Sequence, residues 1–227
     1  MIKIEDVEVM GMRKAIKGMR NAMNSWDKSD SGYMVDEKLD GVQFSYFKIG
    51  EKDMKLCKNL IKAGSPDRKF MRMIHVQADV TAPLYWWKEF DTYKVGTVAN
   101  SCSTMHTLHK RDLTLDDFSH ENLISDSVDI LKDLINTLND CRDSYINYDK
   151  DINLITKEIT SKKHLWWQMI QLLPSSYNQM RTIDLSYETL AKIYRERKNH
   201  KLDEWHTFCD WILTLPYMKE FLEVNEE

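Results

Sequence analysis

Hydrophobic and polar positions follow two different periods along this chain, and the changes of period predict its elements. From Ile2 to Met10 the alternation is loose and reads as an edge strand, after which Met12, Ala15, Ile16, Met19 and Met23 recur at helical spacing. Residues 25–41 are polar and turn-rich. A helix is expected from Glu51 to Ala63, ended by Gly64 with Pro66 just beyond. Phe70 to Thr81 alternates cleanly, with Ile74, Val76, Ala78 and Val80 on one face and Met73, His75, Gln77 and Asp79 on the other. That is a strand with one wet face. Pro83 interrupts it, and Leu84 to Phe90 suits a helix with proline near its first turn.

The second half is helical in pattern. Leu123, Ile124, Val128, Leu131, Leu134, Ile135 and Leu138 mark one apolar face of a long amphipathic helix between Leu113 and Tyr148. A second long helix is expected from Ile152 to Leu172, stopped by Pro174. Asp184 or Ser186 caps the next, with Glu188 in its first turn, over Tyr187 to Lys198; another follows over Leu202 to Leu213, and Pro216 starts a final turn. Helices outnumber strands, yet the early strands argue against a pure bundle. The expectation is an α+β fold, a mixed sheet with long helices, built as a single domain over residues 1–227.

Composition narrows the class. The 42% hydrophobic content is that of a globular protein, and 7 Gly with 4 Pro leave little room for linkers. Thirty-two basic and 36 acidic residues are mixed along the chain for a net charge of −4, which gives no generic grip on nucleic acid or anionic membrane. Any anion must be held by a local pocket. Cys57, Cys102, Cys141 and Cys209 are widely spaced, without a C-x-x-C pair, and no apolar run approaches the roughly 20 residues of a membrane span. Reduced thiols and a cytoplasmic location are expected.

Several segments, in order, carry a family likeness. Met19-Arg20-Asn21-Ala22-Met23-Asn24-Ser25-Trp26 is similar to Val-Arg-x-Ala-Arg-x-Ser-Phe, and Ala82-Pro83-Leu84-Tyr85 to Ala-Pro-Ile-Tyr. Phe90 precedes Asp91-Thr92-Tyr93, and after seven intervening residues stands Ser101, in the frame of an Arg-His-Arg, seven residues, Ser signature. Leu173-Pro174-Ser175-Ser176-Tyr177, Thr182 to Trp205 and Pro216 to Phe221 continue the match. Together these segments resemble the flavin-dependent thymidylate synthases. The resemblance implies that family's fold and a homotetramer with sites built across subunits. It also implies FAD as cofactor, reduction by NADPH, methylenetetrahydrofolate as one-carbon donor and dUMP as substrate.

The chemical letters depart from the family. Its signature arginines and histidine hold flavin and nucleotide phosphates, for which a bidentate guanidinium is suited. Here Asp91 brings a negative charge, Thr92 and Tyr93 supply only hydrogen bonds, Ser103 stands for an arginine and Ala99 for an acid. Ile170, Asp184 and Ser186 likewise replace nucleotide-binding Arg, Asn and Arg. Lys88 and Lys94 flank the signature as partial substitutes.

Residue by residue, the resemblance places Ser101 as the catalytic candidate. Arg195, Arg197, Tyr93 and Ser103 become candidates for substrate binding, and Ser25, His75, Thr92 and His200 for cofactor binding. Each has a plainer reading: a loop serine, a half-exposed strand histidine, a solvated basic helix end. Cys102 reads as a small buried thiol and the pairs Trp86-Trp87 and Trp166-Trp167 as core or interface packing. His106 and His109 share one helical face, but no third ligand follows, so no metal site is assigned.

Two functions remain open. One is a divergent relative that methylates or otherwise modifies a dUMP-like nucleotide. The other is a catalytically inactive homologue acting as an oligomeric scaffold, nucleotide sensor or interaction protein.

Overall fold

In the computed structural model, which describes residues 2–37, 43–148 and 161–224, the chain opens with strand β1 (Lys3–Met10) and helix α1 (Met12–Gly18). A hairpin follows, β2 (Gly32–Glu37) with β3 (Gln43–Lys48), paired antiparallel in the register Gly32↔Lys48 to Glu37↔Gln43. Next come α2 (Glu51–Lys62), β4 (His75–Pro83), α3 (Leu84–Phe90), β5 (Thr97–Ser101) and the short α4 (Thr104–Thr107). The remainder is α5 (Ser125–Asn147), α6 (Lys162–Leu172), β6 (Asn178–Ser186), α7 (Tyr187–Arg197), α8 (Asp203–Ile212) and α9 (Met218–Leu222). Strands β1, β4, β6 and β5 form one sheet in the order β1-β4-β6-β5. The α+β expectation holds.

Several expected elements differ in extent, each for a local reason. The stretch expected to be turns, residues 25–41, contains β2, the first strand of the hairpin. Residues Arg68–Met73 form 3-10 turns, so β4 starts only at His75, although Ile74, Val76, Ala78 and Val80 are all buried as the alternation requires. Helix α5 starts at Ser125 rather than near Leu113, and the chain before it forms a separate turn, Leu115–Asp117, closed by a reciprocal capping box of Thr114 and Asp117. Strand β6 occupies residues whose pattern was read only as the approach to a helix. The expected helix from Ile152 is seen over Lys162–Leu172, and its earlier part lies outside the described residues.

Close contacts group the described residues into two compact units. The first takes in those of Met1–Ile4, Asp79–Thr92 and Asn100–Thr182. Its core includes Leu108, Phe118, Leu131, Ile135, Leu138 and Met169, which draw α5 and α6 together. Trp86 and Trp87 are fully buried and pack edge to face with ring centroids 4.8 Å apart, as core residues should.

The second unit takes in the described residues of Glu5–Ala78, Tyr93–Ala99 and Ile183–Glu227. Phe221 packs edge to face on Phe70 and on Tyr187, with centroids 5.6 and 6.3 Å away. The start of α2 is held by the preceding loop. The Asp30 carboxylate accepts the backbone N–H groups of Lys52 (2.8 Å) and Asp53 (3.1 Å), donors that a helix N-terminus leaves unpaired. Gly50 permits this approach, since a Cβ there would lie 2.2 Å from the Asp30 carboxyl carbon.

Beneath that loop, Asp53 is fully buried. Its carboxylate accepts Arg20 Nε (2.5 Å), Ser29 Oγ (2.6 Å) and Ser31 Oγ (2.5 Å). Burial alone raises a carboxyl pKa, but the two serines and the Arg20 guanidinium outweigh it and hold Asp53 below the ordinary range. No described helix is long and apolar enough to cross a membrane.

Candidate functional site

The nine site residues named from sequence divide between the units: Thr92, Ser101 and Ser103 lie in the first, and Ser25, His75, Tyr93, Arg195, Arg197 and His200 in the second.

In the first unit, Ser101 is exposed at the end of edge strand β5. The next residue is pinned to β6: Cys102 donates its N–H to Met180 O (3.0 Å), and its carbonyl accepts Gln179 Nε2 (2.8 Å). Cys102 itself is exposed rather than buried, because the chain leaves the sheet at its edge there. Ser103 takes the N-cap position of α4, where its carbonyl accepts the N–H of Thr107 (3.1 Å) and the Thr107 hydroxyl (2.7 Å). Thr92 is exposed and donates its hydroxyl to Glu89 O (2.7 Å), closing α3.

Asp91, at the first signature position, is occupied within the chain. It accepts Arg181 Nη1 at 2.8 Å, and the same guanidinium lies 4.3 Å from the centroid of Trp87. Arg181 was not singled out from sequence. Its signal is faint, because β6 itself was not foreseen and only the strand's period brings residue 181 into view.

A cavity of about 430 Å³ opens beside Cys102, lined in part by Thr107, Lys110, Arg111, Tyr177 and Asn178. Arg111 pairs bidentately with Asp117, which offsets its charge. Burial foremost, with the Asp117 charge nearby, raises the Tyr177 hydroxyl above its usual pKa. Tyr177 is therefore a neutral donor in this cavity at neutral pH.

In the second unit three of the candidates converge. The Tyr93 hydroxyl donates to Glu196 Oε2 (2.9 Å) and accepts Arg197 Nε (2.8 Å). Arg197 also lies 4.9 Å from the Trp205 ring centroid, and the His200 ring is 6.3 Å from the same indole. Arg195 is half-buried in the last turn of α7. Ser25 is joined to Arg20 through its backbone: its N–H donates to Arg20 O at 3.2 Å.

His75 stands on the polar face of β4 as expected, its side chain 43% exposed, with Nδ1 2.7 Å from Asp184 Oδ1. Asp184 also accepts Gln77 Nε2 at 2.8 Å. Burial would raise the Asp184 carboxyl, but the hydrogen bonds from Gln77 and His75 outweigh it and lower it. An ionised carboxylate only accepts, so Nδ1 carries the proton, and Nε2 is the basic nitrogen of the neutral ring. Ser186, the other departure from the family, caps α7 by accepting Thr189 N–H at 3.2 Å. Glu188, in the first turn, holds Arg68 (2.9 Å) and Arg72 (2.8 Å).

The second unit offers an oriented imidazole at His75, and the first an exposed serine at the end of β5. The side chains at 91–93 themselves carry no guanidinium for a pyrophosphate: Asp91 is bonded to Arg181, and Tyr93 to Glu196 and Arg197. These positions do not fit the phosphate-holding part that FAD demands of the family's signature, and no flavin step is derived through them. Among the described residues, no three His, Cys, Asp or Glu gather to hold a metal.

The fold is that of the flavin-dependent thymidylate synthases, traced along almost the whole chain. One likeness is to thymidylate synthase X (ThyX) from Helicobacter pylori in its crystal structure with FAD and dUMP, with a TM-score of 0.62 and 13% identity over 98% of this chain and 97% of that one. Another is to the flavin-dependent thymidylate synthase ThyX from Helicobacter pylori complexed with FAD and dUMP, with a TM-score of 0.61 and 14% identity over 97% of each chain. No family model matches the chain, and no curated protein matches it in sequence.

Proposed function

We propose that this chain is a divergent thymidylate-synthase-X-like protein of pyrimidine nucleotide metabolism that binds a dUMP-like nucleotide. In this reading the whole of residues 1–227 is one such domain, assembled as a homotetramer in the cytoplasm. The observation that carries it is the likeness, over 98% of the chain, to a protein solved with FAD and dUMP. The cavity beside Cys102, at about 430 Å³, is of a size that takes a mononucleotide. Ser101 is the residue expected to meet the reacting partners, with Ser103, Tyr93, Arg195 and Arg197 toward the nucleotide and Ser25, His75, Thr92 and His200 toward a cofactor. If the protein methylates, FAD, NADPH and methylenetetrahydrofolate are the co-reactants the likeness implies.

A specific observation favours a second reading, an inactive homologue that senses a nucleotide or serves as a scaffold. Four departures from the family's clamp are built into the chain's own bonding: Asp91 to Arg181, Tyr93 to Arg197, Asp184 to His75, Ser186 to the cap of α7. Phosphate contacts from charged donors contribute about 1.5–3 kcal/mol each, so several missing ones cost orders of magnitude in affinity. Two measurements separate the readings. A purified protein with a flavin absorption band and dUMP-dependent formation of a modified nucleotide supports the enzyme. A colourless protein stabilised by dUMP supports the sensor, and a thermal transition unmoved by millimolar dUMP refutes nucleotide binding altogether.

A further inference from the structure

A second cavity, of about 340 Å³, lies within the second unit where α1, the turn after it and the β2–β3 hairpin meet. Its walls are aromatic. Trp26 and Tyr33 are 46% and 59% exposed, and Tyr33 meets Phe47 edge to face at 5.7 Å. The Trp26 indole N–H donates to Asn21 Oδ1 at 2.8 Å, which fixes the ring. Arg13 and Lys17 line the same cavity one helical turn apart, so their heads share a face of α1. The Arg13 guanidinium stands 5.9 Å from the Tyr33 centroid, and among the described residues neither cation forms an ion pair.

The back wall contrasts with this rim. Arg20 also lines the cavity, but its charge is matched by Asp53, which Ser29 and Ser31 bond as well. Every polar group of that network has a partner, so it supplies shape without demanding a ligand. The unmatched features are two cations and open aromatic faces on one small cavity.

We infer that this cavity binds a nucleoside monophosphate, its base stacked on Trp26 or Tyr33 and its phosphate held by Arg13 and Lys17. Bases stack on aromatic side chains largely without regard to sequence, and Arg with Lys is the usual pairing for phosphate oxygens. The volume sits at the small end of ligand pockets, which suits a mononucleotide rather than a dinucleotide. None of its lining residues belongs to the Ser101, His75 or Cys102 surroundings, although Arg20 and Trp26 adjoin Ser25, which the proposed function turns toward a cofactor.

Calorimetric titration of the full chain with AMP, adenosine and orthophosphate tests it, using wild type, the exposed double variant R13Q/K17Q and W26A. AMP is expected to bind wild type, adenosine and orthophosphate each more weakly than AMP, and each variant to lose at least about tenfold in AMP affinity. Absence of AMP binding at millimolar concentration overturns the inference. So does AMP binding that both variants leave unchanged, and so does orthophosphate binding as tightly as AMP. A dUMP response that survives in R13Q/K17Q belongs to the proposed nucleotide site, and one lost there belongs to this cavity.

Discussion

Asp53 gives the sharpest quantitative test of how this fold is held. Replacing it by alanine removes the acceptor for Arg20 Nε, Ser29 Oγ and Ser31 Oγ at once, and leaves a guanidinium that is only 6% exposed without its counter-charge. Breaking one side of a buried ion pair costs about 3–5 kcal/mol. For a chain of 227 residues, each kcal/mol moves the melting temperature by about 2–4 °C, so D53A should melt roughly 6–20 °C lower. D53N, which keeps the shape and loses the charge, should recover little. The double variant R20M/D53L should lose far less than the two single changes summed, because no buried charge is then left alone. Thermal melts and urea midpoints at neutral pH decide it. A D53A loss below about 1 kcal/mol, or additivity in the double variant, refutes this account. The pH dependence has a fixed sign: the folded pKa is lowered, so the stabilisation is fully present above the unfolded carboxyl value of about 4 and fades as pH falls through the folded value.

Two further outcomes follow from the same bonding. S186A should cost about 1 kcal/mol by removing the side-chain cap on Thr189 N–H, read as a shift of the urea midpoint at constant slope. Asp184 also has a lowered carboxyl, so its interaction with His75 and Gln77 should be intact above the unfolded carboxyl value of about 4 and fade as pH falls through the lower folded value; D184N should flatten that acid limb, and an unchanged acid titration by NMR would count against the pairing.

How much of this was legible in the sequence depends on what fixed each element. Helices α2 and α3 were readable because Gly64, Pro66 and Pro83 punctuate them locally, and β4 because its alternation survives full burial of one face. The β2–β3 hairpin was not. Tyr33, Met34, Val35 and Tyr46 are all strongly exposed, so the hairpin has no single apolar face to reveal its period. Strand β6 was missed for another reason: most of Asn178–Thr182 is half-buried, and the polar Arg181 and Thr182 bond to Asp91 and Asp79, partners remote in sequence. The candidate site shows the same limit. Family spacing picked out Ser101 and Tyr93 as candidates, and strand alternation put His75 on a polar face, but nothing local announces that Asp91 is matched by a residue 90 positions away.

That match has a consequence for anyone who redesigns the protein. The substitution a family comparison suggests first, arginine at 91, would set one guanidinium against another held over Trp87, so positions 91 and 181 behave as a single two-letter word. Asp with Arg is permitted, while Arg with Arg is forbidden by like-charge repulsion, and the route between the two chemistries passes through residue 181 first.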